Sequence, residues 1–324
     1  MNIIFQIIIF GFSCVGLFLG GKFMSNSAIR ISKFLGWKEF VVSFFLISFI
    51  ASLPEISIGI TAALKGIPEL SFGNIIGSNI IHFTLAIGLS VLMLGGVTTN
   101  SRTVQIGSTF AAVVGVFPLF MLWDGVVGRI DGVILMLSFI VYTVWIFSKK
   151  EHFTKVYKFK KGIKEISTGV GSFFKDIIFL AIGSIFILLS AQGIVVSASD
   201  LAGALNVPVG LIGLLIVGIG TALPESYFSA MSATKNQSWM ILGNLMGCVA
   251  ITASFVLGMV AVIHPIVIQD QSPYILARIF LILSALLFLF FSKNDKKISR
   301  REAIILILIY VVYLLAEIFI RQKL

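Results

Sequence analysis

Two acids stand where acids are costly. Glu55 lies in ASLPEISI (Ala51–Ile58) and Glu225 in TALPESYF (Thr221–Phe228), 170 positions apart, each directly after a proline inside a long apolar segment. Each is followed 18 residues later by Gly-Asn, as FGNIIG from Phe72 and LGNLMG from Leu242, so the chain carries an internal duplication. A carboxylate in hydrocarbon costs about 2.5–3.5 kcal/mol even on permissive insertion scales, and a duplicated pair therefore marks a functional site. Of the 14 Asp and Glu, only these two lie deep in apolar sequence, with nothing basic at the same depth. Empty, they would repel each other, and a bound cation removes the conflict. Carboxylates with hydroxyl and carbonyl oxygens beside them are ligands for hard ions such as Na+ and Ca2+.

The elements that must hold such acids are membrane helices. The 324-residue chain is 58% hydrophobic and 12% charged, against the roughly 25% charge of soluble domains. Apolar windows of about 20 residues give ten spans, near 3–21, 40–64, 71–95, 104–123, 131–148, 177–196, 208–233, 239–263, 274–292 and 302–320. The expected fold is an all-α polytopic membrane protein. Its start, MNIIFQIIIFGF, has no basic stretch before the apolar run and reads as a retained first span.

Placing the 22–39, 96–103, 149–176, 234–238 and 293–301 connections on one side of the bilayer gathers nineteen of the 24 Lys and Arg there. The positive-inside rule makes that side cytoplasmic and puts both termini outside the cell (plasma or inner) membrane. The net charge of +10 follows from this asymmetry, and no nucleic-acid partner is expected. The stretch KKEHFTKVYKFKKGIKE (Lys149–Glu165) reads as a cytoplasmic linker, with only an unspecific lipid-headgroup contact open to it. The expected organisation is a first repeat over 1–148, a basic linker over 149–176 and a second repeat over 177–324.

Five spans on each side of that linker have a geometric consequence. An odd number per repeat makes the second half enter the bilayer with opposite orientation, which is a transporter architecture with its site near the midplane where the halves meet. Pro54 and Pro224 should break the helical ladder at matching places and free carbonyls toward that site. The plainer alternative is a pair of ordinary proline kinks.

The duplicated Leu-Pro-Glu followed by Gly-Asn-x-x-Gly-(Ser/Cys), in two halves, resembles the calcium/cation antiporter superfamily, whose best-known members are the sodium/calcium exchangers. The resemblance covers essentially the whole chain, with signature regions at 44–90 and 214–258. It implies alternating access by a sliding pair of helices around a four-helix site, with Ca2+ or another cation moved against Na+ or H+, no cofactor and no enzymatic step. The missing phosphate-binding loop argues equally against ATP. Inorganic cations and the lipid bilayer are the expected partners, and the chain is expected to act as a monomer.

Carrying the family's ligands over exposes departures. The first motif, usually Gly-Thr-Ser-Leu-Pro-Glu, reads Ile50-Ala51-Ser52-Leu53-Pro54-Glu55, and the second reads Gly220-Thr221-Ala222-Leu223-Pro224-Glu225. Where the family has Gly-Ser-Asn-x-x-Asn or Asp, this chain has Ser78 and His82, then Cys248 and Thr252. The resemblance implies one cation position from Glu225, Thr221, Ser52, Ser78 and a carbonyl of Gly218. In its mirror image around Glu55, Ala51, Ala222 and Cys248 replace three hydroxyl residues. One hard-cation position is thus expected to be kept and the other weakened, with altered stoichiometry. Ser48, the counterpart of Gly218, completes the candidate set with His82, Cys248 and Thr252.

His82 leaves three readings open. Protonated between Glu55 and Glu225 it could stand in for a cation and couple transport to protons. Neutral, it could bind a transition metal with Cys248 and the two glutamates. As a packed histidine it would do neither. His152 and His264 carry no role, and Cys14 and Cys248 lack the spacing of a disulfide or zinc framework. Asn74 and Asn244, after the matched glycines, are expected to bridge helices by hydrogen bonds and not to ligate. Two rivals remain: an intramembrane hydrolase using Ser78 and His82 as nucleophile and base, and a channel.

Overall fold

The computed structural model describes residues 3–34, 47–100, 102–148, 170–234 and 238–321, nearly all of them helical. Most of the expected linker, 149–169, lies outside the described residues. Eight helices there are long and apolar enough to cross a membrane. The other two expected spans fall on α2–α3 (Ser48–Ala51 and Leu53–Leu64) and on α7 (Arg129–Ser148, 20 residues). The chain is an all-α polytopic membrane protein, and ten spans are consistent with it.

Helix α1 (Ile3–Phe34) lies along α8 (Val170–Leu205), and both overrun the spans read from hydropathy. Apolarity marks where lipid ends, whereas a helix continues while its ladder is satisfied: 36 residues reach about 54 Å against a hydrocarbon core of about 30 Å. The two run antiparallel. Gln6 Nε2 donates to Asp200 Oδ2 at 2.6 Å near one end, and Arg30 pairs with Asp176 at 2.6 Å near the other. Between these ties Leu17, Met24, Ile187, Ala191 and Ile194 are buried against Ile58, Ala62 and Leu70 of the neighbouring helices.

The remaining helices form the larger core. Helix α4 (Pro68–Ile81) continues through a π-helical turn, His82–Ala86, into α5 (Ile87–Leu94). In the second half α11 (Ser238–Ala250) continues through Ile251–Val256 into α12 (Leu257–Ile263) at the matching place. Outside them lie α6 (Arg102–Met121), α13 (Ile275–Lys293) and α14 (Arg300–Arg321). Contacts repeat in mirrored fashion: α14 packs on α5 as α7 packs on α12, and α6 meets α13. Two short antiparallel ribbons tie the connections together. Val97–Thr98 pairs with Lys297–Ile298, and Val126–Val127 with Ile266–Val267. The first ribbon joins the basic 96–103 and 293–301 connections, as their placement on a common side requires.

The prolines act unequally. In the first half the helix stops at Ala51, turns at Ser52, and restarts as α3 with Pro54 in its first turn, where a missing N–H is tolerated. In the second half α9 (Val209–Ile212) passes through the π-helical turn Gly213–Val217 into α10 (Gly218–Thr234), which runs unbroken across Pro224. The expected matching breaks are therefore one break and one proline inside a helix.

Candidate cation site

The two halves meet where backbones nearly touch. Helix α4 crosses the Gly213–Val217 turn so closely that a Cβ on Gly77 would lie 2.1 Å from the Leu214 carbonyl oxygen. One on Gly218 would lie 3.0 Å from the Ser78 nitrogen. Small residues permit such approaches between membrane helices. They carry Asn74 and Ser78 of α4 to Gly218 and Thr221 of α10.

Glu55 occupies the first turn of α3, and Glu225 sits in α10 directly after Pro224. Both are fully buried, at 0% exposure. They are near enough for the charge of Glu55 to act on Glu225, and both act on Cys248. None of the four carboxyl oxygens has a hydrogen-bond partner among the described residues. The Thr221 hydroxyl lies beside the Glu55 carboxyl. Its single proton goes instead to Asn74 Oδ1 at 2.9 Å, with Gly218 O more distant at 3.4 Å, so its lone pairs remain available.

The other candidates divide. Ser52 is buried beside Cys248, and its Oγ has no partner among the described residues. Ser78 Oγ donates to Ile75 O at 3.2 Å within its own helix, which also leaves lone pairs free. Ser48 Oγ donates to Asn244 O at 3.2 Å and fastens α2 to α11. Cys248 Sγ reaches Ser48 O and Asn244 Oδ1, each at 3.8 Å. Thr252 Oγ1 donates to Asn79 Oδ1 at 3.1 Å. Asn74 bridges the halves as expected, and Asn244 Nδ2 donates to Ser229 Oγ at 3.4 Å.

His82 is fully buried. It opens a turn packed among α10, α11, α13 and α14, and neither ring nitrogen has a partner among the described residues. No three His, Cys, Asp or Glu side chains converge there to hold a metal, so the transition-metal grouping of His82, Cys248 and the glutamates is not formed. The wide turn lies downstream of the step from Ser78 to His82: the His82 amide still bonds the Ser78 carbonyl, so the two residues keep an α-helical spacing. The hydrolase pair is not formed, because the Ser78 hydroxyl donates to its own helix and not to His82. Asn79 was not singled out in the sequence. Its counterpart is Val249, so the duplication that flagged the other polar residues gave no signal there.

Comparison with known proteins agrees with this architecture. The sodium/calcium exchanger protein family matches residues 5–148 and 175–319. An uncharacterised membrane protein of Methanocaldococcus jannaschii is 28% identical over 314 residues, covering 93% of this chain and 95% of that protein. The sodium/calcium exchanger MaX1 of Methanosarcina acetivorans is 24% identical, covering 94% and 96%. Among solved structures, the sodium-calcium exchanger NCX_Mj soaked with Na+ and Sr2+ superposes with a TM-score of 0.68 at 25% identity, covering 97% of this chain and 98% of that one. With both halves matched, the chain belongs to the sodium/calcium exchanger protein family and is, like its members, a cation antiporter and not an enzyme.

Proposed function

We propose that the chain moves Ca2+ against Na+ by alternating access at a midplane site centred on Glu55 and Glu225. Thr221, Ser52, Ser78 and the Gly218 carbonyl supply the neutral oxygens. Ser48, Cys248 and Thr252 hold the surrounding helices through their hydrogen bonds. His82 lies outside the ligand shell. The observation that carries this reading is the burial of two carboxyls from opposite halves, close together, with all four oxygens unpartnered. Burying an ionised carboxylate without a partner is so unfavourable that a cation is the natural complement, and oxygen donors of this kind suit hard ions.

In this reading the functional units are a first repeat over 1–148 and a second over 177–324, joined by the basic segment 149–176. The chain works as a monomer in the cell membrane, with that segment cytoplasmic and both termini outside. Reconstitution into proteoliposomes tests the proposal. Ca2+ uptake driven by an outward Na+ gradient should be seen for the wild type and lost for Glu55→Gln and Glu225→Gln. Uptake that persists in both variants would overturn it.

A further inference from the structure

We infer that Lys22 is a selectivity element at the cytoplasmic mouth of the site, a fixed positive charge that lowers divalent affinity on that face and leaves the outer face untouched. The inference rests on the antiport reading, with its orientation, and deepens it. A crevice runs between α1 and α10, lined by Phe18, Gly21, Lys22, Pro224, Tyr227 and Phe228. It reaches the residue before Glu225. A Cβ on Gly21 would meet Pro224 Cβ at 3.4 Å, and deeper in, a Cβ on Gly220 would lie 2.9 Å from the Cys14 sulfur, so the two helices close above it. The Phe18 ring meets Tyr227 edge-on at 5.4 Å between centroids, and the Lys22 ammonium sits 5.7 Å from the Tyr227 centroid. That contact holds the charge over the crevice. Arg30, further along α1, is taken up by Asp176, and Lys22 is the charged side chain on the crevice wall among the described residues.

The duplication makes this charge one-sided. The shift of 170 that relates Glu55 to Glu225 carries Gln6 to Asp176 and Arg30 to Asp200, so the two ties between α1 and α8 are mates of each other. Under the same shift Lys22 corresponds to Gln192 and Tyr227 to Ser57. Neither mate carries charge. An ion approaching by the α1–α10 crevice passes an ammonium, whereas the mirrored approach from outside passes an amide. Coulomb energy scales with the charge of the ion, so the penalty is twice as large for Ca2+ as for Na+. A cleft with low-dielectric walls focuses such a field. Lys22 therefore favours discharge of Ca2+ to the cytoplasmic face over its capture there.

The experiment uses the full chain in inside-out and right-side-out membrane vesicles, which present each face to the medium in turn. Ca2+ affinity is read from uptake driven by internal Na+, and Na+ affinity from Ca2+ efflux driven by external Na+. Lys22→Gln should lower the cytoplasmic-face KM by about fourfold for Ca2+ and about twofold for Na+, the first being the square of the second, with the outer face unchanged. Lys22→Glu should lower it further, and Gln192→Lys should raise the KM on the outer face instead. These shifts should shrink as ionic strength rises from about 0.01 M to about 0.15 M, where the Debye length falls from about 30 Å to about 8 Å. Equal changes on both faces, an order that does not follow charge, or insensitivity to salt would overturn the inference and leave antiport standing. Absence of Na+-driven Ca2+ flux by the wild type in either kind of vesicle would remove both.

Discussion

The Thr221 hydroxyl donates a 2.9 Å hydrogen bond to Asn74 Oδ1, joining α10 of the second half to α4 of the first. Thr252 to Asn79 runs in the same direction, from a second-half hydroxyl to a first-half asparagine. The related first-half position 51 is alanine and can make no such bond. A duplicated fold thus carries a one-sided set of polar ties at its centre. Thr221 has two duties, orienting Asn74 and keeping lone pairs beside Glu55, and they can be separated by mutation. Thr221→Ala leaves a buried acceptor unpaired and should cost about 1–3 kcal/mol of stability. It should also weaken Na+ binding, whereas Thr221→Ser should keep both. Thermal unfolding in detergent with and without Na+ distinguishes them, and a Ser variant as poor as Ala would defeat the assignment.

Gly77 is set by backbone contact. A Cβ there would meet the Leu214 carbonyl oxygen at 2.1 Å and its carbon at 2.9 Å, and neither is the movable end of a side chain. Gly77→Ala should force α4 off the Gly213–Val217 turn, with a loss of at least about 1–3 kcal/mol and of transport. Gly11→Ala, with nothing within 4 Å, should be silent. Melting temperatures and flux measured side by side would settle it, and equal behaviour of the two variants would contradict the crossing.

Among the described residues His82 forms no metal-holding cluster with the carboxyls, and it begins a π-helical turn. His82→Asn should therefore leave the apparent Ca2+ affinity and the shape of the pH–flux profile unchanged. A flattened profile, or affinity lost by about tenfold or more, would return the imidazole to the site.

Much of this was legible from sequence because membrane solvent imposes strong rules. Glu55 and Glu225 stand out since nothing else charged lies at their depth, and the repeat of Leu-Pro-Glu with Gly-Asn fixes which helices meet. The same rules are silent about turn width. The π-helical turns at His82–Ala86 and Ile251–Val256 follow the matched motifs, and no residue type in them announces the extra residue per turn. Pro54 and Pro224 look equivalent in sequence, yet one heads a new helix and the other lies inside one. Asn79 became visible only through its partner on the other half.

Cys14 and Gly220 supply a native test of movement between α1 and the site. A Cβ on residue 220 would lie 4.0 Å from Cys14 Cβ and 2.9 Å from its Sγ. Disulfides span about 3.5–4.5 Å between Cβ atoms, so Gly220→Cys should cross-link to Cys14 with little backbone adjustment. If alternating access requires α1 and α8 to shift past α10, oxidation should stop exchange and dithiothreitol should restore it. The same substitution in a Cys14→Ser background should be insensitive to oxidant, which separates the cross-link from the added side chain. Mass spectrometry of the oxidised protein reports whether the bond has formed. A fully cross-linked protein that still exchanges Ca2+ at the reduced rate would show that α1 keeps its contact with Gly220 throughout the cycle, and that access to Glu55 and Glu225 opens elsewhere.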